Sequence, residues 1–127
     1  MRLLLDTHAF LFAIKDWDRL GLQAQRLLRD PEVERWISAV TLWEIAIKVQ
    51  IGKLPLPKDR AFYITHLEGL AAHLLAVKPE HSFGLFNLPL HHGDPFDRML
   101  IAQARAEGLT IVTHDRAFAR YDVPVLW

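Results

Sequence analysis

The chain has 127 residues, 51% hydrophobic and 24% charged, which suits a single domain over residues 1–127 with a core that needs no covalent staples. Fifteen basic residues balance fifteen acidic ones, so any contact with nucleic acid must rely on local cations. Cysteine is absent, which excludes disulfides and thiolate metal sites, and no apolar run resembles a signal peptide or membrane span. We therefore expect a cytoplasmic protein that does not associate with membranes.

The first half of the chain alternates strand and helix patterns. A continuous apolar run over Arg2–Leu5 predicts a buried strand, which ends abruptly at Asp6. A second strand is predicted over Glu34–Ala39, followed directly by a helix over Val40–Ile51. Further helices are predicted over Ala9–Ile14, Gln23–Arg29 and Asp59–Leu70.

The second half continues this alternation. Ala72–Val77 fits either the end of a helix or a short strand before Pro79, and the strand is favoured. Asp94 is a typical helix N-cap, and a helix runs from Pro95 to Glu107. The remaining predicted elements are a helix over Pro79–Leu88, a strand over Leu109–Thr113, a helical turn over Arg116–Ala119 and a strand over Val123–Leu126. Strands alternating with helices predict an α/β fold with a parallel sheet covered on both faces.

Four carboxylates follow strand ends or begin helices. Asp6 and Asp115 fall just beyond two predicted strands, where ligands bind in open parallel sheets. If Thr41 caps the helix that follows the second predicted strand, the spacing from Thr41 to Glu44 is that of a capping box. Asp97 occupies the first turn of a later helix. Each acid alone is explained by capping, by the helix dipole or by ion pairing. Together they would repel one another unless protons or a hard cation such as Mg²⁺ or Mn²⁺ relieved the repulsion.

Four segments in order carry a family resemblance: LLLDTHAFLF, ISAVTLWEIAIKVQIGKL, HHGDPFDRMLIAQA and LTIVTHDRAFARYDVPVLW. The sequence resembles PIN-domain ribonucleases, and within them the VapC-type toxins of type II toxin–antitoxin systems. The resemblance implies a three-layer α/β/α sandwich with a short, mainly parallel sheet of about four to five strands. It also implies metal-dependent hydrolysis of RNA to 5′-phosphate and 3′-hydroxyl ends, a VapB-type antitoxin laid over the acidic groove, and a homodimer, for which the apolar early helices are candidates.

The same resemblance assigns the catalytic acids. They are Asp6, Glu44, Asp97 and Asp115. Asp6 and Asp97 are the first choices as direct metal ligands, while Glu44 and Asp115 would act directly or through water. Asp97 is preferred to Asp94 because it leads directly into the RMLIAQA helix.

Other residues are expected to support the acids. Ser38, Thr113 and Asp94 are similar to polar residues that assist the site, with Asp94 mainly a helix cap. Where many relatives carry asparagine before the last acid, this chain has His114, whose role stays open. Cations must hold the RNA backbone near an acidic pocket. Arg98, Arg116 and Lys48 are the candidates, and Arg98 is favoured because its helix begins at the proposed pocket, although ion pairing explains each of them as well.

Two rival functions remain. A non-catalytic PIN-like domain would bind RNA or protein without cleaving it, which the presence of all four acids disfavours. A phosphotransfer or receiver-like protein also places an acid after its first strand, but Asp6-Thr7-His8 lacks the second aspartate of such sites. The His91-His92 pair lacks the helical spacing of a zinc site.

Overall fold

The computed structural model describes residues 1–127, which form six α-helices and five strands. The strands are β1 (Arg2–Leu5), β2 (Glu34–Ser38), β3 (His73–Leu75), β4 (Thr110–Val112) and β5 (Val125–Leu126). The helices are α1 (Thr7–Lys15), α2 (Leu22–Leu28), α3 (Ala39–Gln50), α4 (Arg60–Gly69), α5 (Pro79–Gly84) and α6 (Pro95–Glu107). Short 3₁₀ turns occupy Trp17–Arg19, Leu85–Asn87 and Arg116–Arg120. No helix combines the length and apolarity that crossing a membrane would require.

All five strands run parallel in one sheet of order β3-β2-β1-β4-β5. The predicted parallel α/β sandwich is therefore confirmed, as is the choice of a strand after α4. Helix α4 cannot continue into that segment because Ala71 adopts a left-handed φ of 51°, which turns the chain toward β3. The helix predicted over Pro79–Leu88 is shorter than expected, since it gives way to a 3₁₀ turn at Leu85.

Strand alternation divides the core into two layers. Leu3 and Leu5 of β1 pack on one side of the sheet, while Leu4 packs on the other. The first side is covered by α1, α2, α3 and α4, and the second mainly by α6. The apolar face of α1, which includes Phe10 and Phe12, is buried in this core. The core uses this face of α1, and the expectation that the early helices present a dimer surface stays a prediction.

The strand order creates a crevice beside the central strand. The chain passes from β1 outward to β2 and β3, then returns to place β4 on the other side of β1. Ligands bind at such a switch point in parallel sheets, beyond the carboxyl ends of the strands. The backbone N–H of Asp6 donates to the carbonyl of Val112 at 3.1 Å, so Asp6 extends the β1–β4 pairing by one residue. Asp6 therefore enters the crevice.

Trp127 closes the far edge of the sheet against Gly21. The backbone N–H of Thr113 donates to Leu126 at 3.0 Å, and this pairing carries Trp127 to the entry of α2. A Cβ atom on Gly21 would lie 2.4 Å from the Trp127 carbonyl carbon and 2.6 Å from its ring. The backbone of Gly21 has φ −60° and ψ 152°, which any residue can adopt. Glycine is needed here for space and not for backbone freedom.

We expect Gly21→Ala to lower the free energy of unfolding by about 1–3 kcal/mol, because the new methyl group displaces Trp127 from a filled site. Urea denaturation followed by tryptophan fluorescence measures the change. Gly69→Ala is the matched control, since nothing lies within 4 Å of the added carbon. It should be neutral or slightly stabilising. Equal effects of the two substitutions would contradict the packing explanation.

Candidate functional site

Asp6 is a buried carboxylate at the junction of β1 and α1. It caps α1, and its Oδ1 accepts a hydrogen bond from the Ala9 N–H at 2.8 Å. The residue is only 3% exposed, and this burial raises the pKa of its carboxyl above the usual 3.8. A hydrogen bond from the Thr113 side chain and the charges of His8 and His114 pull the pKa partly back down. Asp6 therefore carries a charge that its surroundings only partly compensate.

Asp97 lies in the first turn of α6, with its side chain 19% exposed. Burial raises the pKa of this carboxyl to about 7, and the negative charges of Asp94 and Asp6 add to the rise. A hydrogen bond to His92 opposes it. Because the charge of Asp6 acts on Asp97, the two acids that the sequence favours as metal ligands lie near each other. Both carboxylates lack a cationic partner among lysines and arginines.

A hydrogen-bonded chain holds Asp97 from behind. The Tyr121 hydroxyl accepts from the His92 N–H at 3.2 Å and from the Arg98 guanidinium at 3.1 Å. With both lone pairs used, its own proton points to His92 Nδ1 at 2.8 Å. The proton of a neutral His92 ring then lies on Nε2, which donates to Asp97 Oδ2 at 3.2 Å. The order Arg98, Tyr121, His92, Asp97 fixes the orientation of the carboxylate.

Sequence reasoning missed His92 and Tyr121. In the sequence the His91-His92 pair invites comparison only with a zinc site, whose helical spacing it lacks. The histidine directly before the GDPFD loop was the available signal, because it is five residues from Asp97 and loops bring such residues together. Nothing in the sequence pointed to Tyr121, which is 29 residues from His92.

Glu44 is buried on α3 and is already engaged. Its Oε1 accepts from the Thr7 hydroxyl at 2.6 Å, and its Oε2 is paired with the Lys48 ammonium one helical turn later. The predicted capping box at Thr41 is wrong: Ser38 caps α3 by accepting from the Val40 N–H at 3.0 Å. Glu44 therefore lies in the second turn of α3 and not in the first. Its pairing with Lys48, which the sequence had offered as the ordinary explanation, is present.

Asp115 is exposed beyond β4. Its Oδ1 accepts from the Ala117 N–H at 2.9 Å and so begins the 3₁₀ turn Arg116–Arg120. Its own N–H donates to the Thr113 hydroxyl at 3.1 Å. Because the Thr113 side chain also bonds Asp6, it connects the two acids that follow β1 and β4. Asp115 forms no ion pair.

The other supporting residues have different roles. Asp94 caps α6 by accepting from the Asp97 N–H at 3.0 Å, as expected. Ser38 is fully buried, and its hydroxyl donates to Gln103 on α6 at 2.6 Å. Ser38 thus joins the end of β2 to α6 and has no hydrogen bond to any of the four acids.

The predicted RNA-binding cations are corrected in part. Arg98 is buried, and its guanidinium donates to the carbonyls of Leu88 and Pro89 as well as to Tyr121. It holds the loop before α6, so it is not available to an RNA backbone. Arg116 is exposed, and Lys48 is partly exposed while pairing with Glu44.

The donor chemistry of the crevice suits a hard cation. No three Asp, Glu or His side chains lie close enough to enclose a metal ion by themselves. Asp6 and Asp97 nevertheless present oxygen atoms whose negative charge is under-compensated, as their raised pKa values indicate. Mg²⁺ is commonly held by one or two carboxylates while it keeps several waters. The Asp6–Asp97 pair fits that pattern.

We expect Asp97→Asn to stabilise the metal-free protein at high pH. The folded-state pKa is about 7 against 3.8 for a free aspartate, so ionisation costs stability as the pH rises through this window, and the cost is complete above it. The pKa shift corresponds to at most ~4 kcal/mol, and the loss of a favourable charge at a helix N-terminus offsets part of it. Removing the charge should therefore raise the free energy of unfolding by ~1–3 kcal/mol at pH 8.

Denaturant titration in EDTA at pH 4 and pH 8 measures this effect. Little difference between Asp97→Asn and the parent is expected at pH 4, where Asp97 is protonated in the folded state. Asp59→Asn is the control, since Asp59 is an exposed cap of α4 and asparagine caps equally well. A lower free energy of unfolding for Asp97→Asn than for the parent at pH 8 would show that ionisation of Asp97 does not cost stability.

The model of one protein family, the PIN domain, matches residues 3–124. No curated protein matches the chain. Among solved structures, VapBC from Salmonella typhimurium, solved with bound DNA, superposes with a TM-score of 0.73 at 19% identity and covers 99% of this chain and 97% of that one. VapBC2 from Rickettsia felis gives a TM-score of 0.70 at 19% identity, with coverage of 99% and 98%.

A toxin-antitoxin complex from Klebsiella pneumoniae gives a TM-score of 0.63 at 17% identity, covering 98% of this chain and 96% of that one. At these identities the structural likeness establishes the fold, in agreement with the sheet order described above. The family match spans nearly all of the sequence, from within β1 to the residue before β5. The chain belongs to the PIN domain family.

Proposed function

We propose that this protein is a metal-dependent endoribonuclease toxin of the VapC type, which hydrolyses RNA phosphodiester bonds and is neutralised by a VapB-type antitoxin. The observation that carries the proposal is the pair of under-compensated carboxylates, Asp6 and Asp97, at the switch point of a parallel sheet. Such a pair costs stability in the free protein. A site that retains this cost is typical of a functional centre.

Asp6 and Asp97 would hold a Mg²⁺ or Mn²⁺ ion. When bound, such an ion supplies Lewis acidity: it lowers the pKa of water and neutralises charge that develops on phosphoryl oxygens. Asp6 is fixed for this task by the Ala9 N–H, and Asp97 by His92. Both acids are therefore held in place before any ion arrives, which limits the reorganisation that binding requires.

Asp115 is the acid best suited to accept a proton from the attacking water. Asp6 and Asp97 are assigned to the ion, and Glu44 is occupied by Lys48 and Thr7. Asp115 is exposed and free of ion pairs, and Thr113 connects its backbone to Asp6. Glu44 then acts as a support: it holds Thr7, the residue next to Asp6, and keeps Lys48 at the edge of the site.

The toxin assignment draws on the relatives. The chain shares its fold, over nearly its whole length, with proteins solved as VapBC and toxin-antitoxin complexes. A partner of VapB type that covers the acidic crevice would keep RNA away from Asp6 and Asp97. The rival function, a PIN domain that binds RNA without cleaving it, does not explain why two poorly compensated carboxylates are retained, since their negative charge would repel RNA.

We expect purified protein to cleave single-stranded RNA in Mg²⁺ or Mn²⁺ and to be inactive in EDTA. Asp6→Asn and Asp97→Asn should each lower kcat/KM by ~100-fold or more, because each removes a proposed ligand. Gel analysis of a 5′-labelled RNA measures the rates and identifies the cleaved ends. Asp59→Asn is the matched control, since Asp59 is an exposed cap of α4 and asparagine preserves the helix cap. Cleavage that survives EDTA and both substitutions would refute the mechanism, and tight RNA binding without cleavage would favour the non-catalytic rival.

We also propose a homodimer, on the basis of exposed apolar side chains near α5. Phe83, Phe86 and Leu90 are 64%, 86% and 84% exposed within one short stretch. Large exposed apolar residues gathered in this way are typical of interaction sites. The chain has zero formal net charge, which provides little long-range repulsion against self-association.

The double variant Phe86→Ser/Leu90→Ser should shift the protein from dimer to monomer, because it removes apolar surface that the dimer would bury. Light scattering coupled to size exclusion measures the molar mass. Leu22→Ser removes an equally exposed leucine, 82% exposed on α2, and should leave the mass unchanged. A monomeric parent protein would contradict the proposal.

A further inference from the structure

A polar pocket opens beside the acidic crevice, between α1 and the segment that follows α3. Its volume is about 400 Å³. Four of its ten lining residues are basic: Lys15, Arg19, Lys48 and Lys53. Asp16 is the one acid among them, and it lies 3.7 Å from Arg19. We call these four cations and the space they line the basic pocket.

Two of the four cations of the basic pocket are free to bind a ligand, while Arg19 pairs with Asp16 and Lys48 with Glu44. Lys15 and Lys53 are exposed and form no ion pair, whereas Arg98 is committed to backbone carbonyls and Lys78 to Glu107. The ordinary explanation for Lys15, a favourable position in the last turn of α1, does not apply to Lys53, which follows α3. The two unpaired lysines therefore give the basic pocket a local excess of positive charge, although the whole chain has zero formal net charge.

The basic pocket shares a wall with the acidic crevice. Thr7 lines the pocket, follows Asp6 in the chain and donates to Glu44 at 2.6 Å. Lys48 also lines it and pairs with the same carboxylate. A polyanion whose scissile phosphate lies at the acids would therefore have its neighbouring phosphates within reach of the basic pocket.

Aromatic rings border the same surface. The rings of His8 and His114 are 5.8 Å apart, and those of His114 and Trp127 are 4.9 Å apart. His8 and His114 are exposed, and the ring of Phe12 packs beneath them with the Arg19 guanidinium 4.5 Å from its centre. Single-stranded RNA is recognised by phosphate contacts combined with stacking of bases on such rings. An acidic peptide would use the cations but not the rings, so the combination favours a nucleotide ligand.

We propose that the basic pocket binds the phosphodiester backbone of single-stranded RNA next to the cleaved bond, with a base stacked on His8 or His114. The inference rests on the proposed function for the position of the cleaved bond. The binding itself requires neither cleavage nor a metal ion. Lys15 and Lys53, and not Arg98, would then make the main contacts to the RNA backbone.

The test measures RNA binding without catalysis. An Asp6→Asn/Asp97→Asn protein in EDTA is titrated against a fluorescent 12-nucleotide oligouridylate, and anisotropy is recorded from 0.05 to 1 M salt. Adding Lys15→Gln/Lys53→Gln should reduce the slope of log K against log salt by ~1.4, since each phosphate contact on a single strand contributes ~0.7. That change corresponds to roughly 25-fold weaker binding at 0.1 M salt, with no difference near 1 M.

Arg26→Gln/Lys58→Gln is the matched control, because it removes two exposed cations that lie outside the basic pocket. It should change affinity by no more than about twofold. His114→Ala should weaken binding about fivefold or more while leaving the salt slope unchanged, as expected for a stacking contact. Equal slopes for the pocket and control variants would overturn the inference. So would a twelve-residue polyglutamate that competes with the RNA as well as unlabelled RNA does.

Failure of this inference is distinguishable from failure of the proposed function. If the parent protein does not cleave RNA but the pocket variant loses binding, the proposed catalysis is wrong and the basic pocket stands. If the parent cleaves RNA and Lys15→Gln/Lys53→Gln leaves both KM and kcat unchanged, the catalysis stands and the basic pocket is wrong. The expected result is a raised KM with kcat within about twofold.

Discussion

The candidate site depends on two carboxylates, Asp6 and Asp97, that the fold buries without a lysine or arginine partner. Asp6 and Asp97 come from distant parts of the chain. Burial raises the pKa of both carboxyls, and repulsion from the charges of Asp94 and Asp6 adds to the rise at Asp97. The fold brings them to one region because β1 is central in the parallel sheet and the later helix α6 packs against it on one side. The stability that tolerates this repulsion comes from two apolar layers divided by the alternation of Leu3, Leu4 and Leu5.

The polar groups around the pair reduce the repulsion without removing it. The N-terminus of α1 receives the Asp6 side chain, which satisfies a backbone N–H and places negative charge at the positive end of the helix. Asp97 lies in the first turn of α6, three residues after the N-cap Asp94, and accepts a hydrogen bond from His92. Glu44, in contrast, has a full cationic partner in Lys48. The under-compensated charge is therefore confined to the two acids that the proposed function assigns to the metal ion.

Sequence patterns predicted most of the backbone and less of the side-chain network. Strands and helices were predictable because apolar periodicity and caps such as Asp94 act over a few residues. The partners of buried polar groups were not, since they come from distant positions: Ser38 bonds Gln103, which is 65 residues away, and Arg98 bonds Tyr121. For the same reason Arg98 was predicted to meet RNA although it is buried. The capping box at Thr41 failed because Ser38, three residues earlier, already satisfies the helix N-terminus.

Zero net charge conceals a strong separation of charge on this protein. Acids gather at the ends of β1 and β4, while free lysines gather at the end of α1 and after α3. Glu44 lies at the boundary, because it bonds Thr7 on the acidic side and Lys48 on the basic side. Recruiting Glu44 as a metal ligand would break that pairing and leave Lys48 beside an ion of like charge. Within the proposed function, this favours an ion held by two carboxylates and completed by water or substrate oxygens, an arrangement that Mg²⁺ commonly adopts. The separation of acids from free lysines also explains how the protein could hold an acidic centre next to a polyanionic substrate.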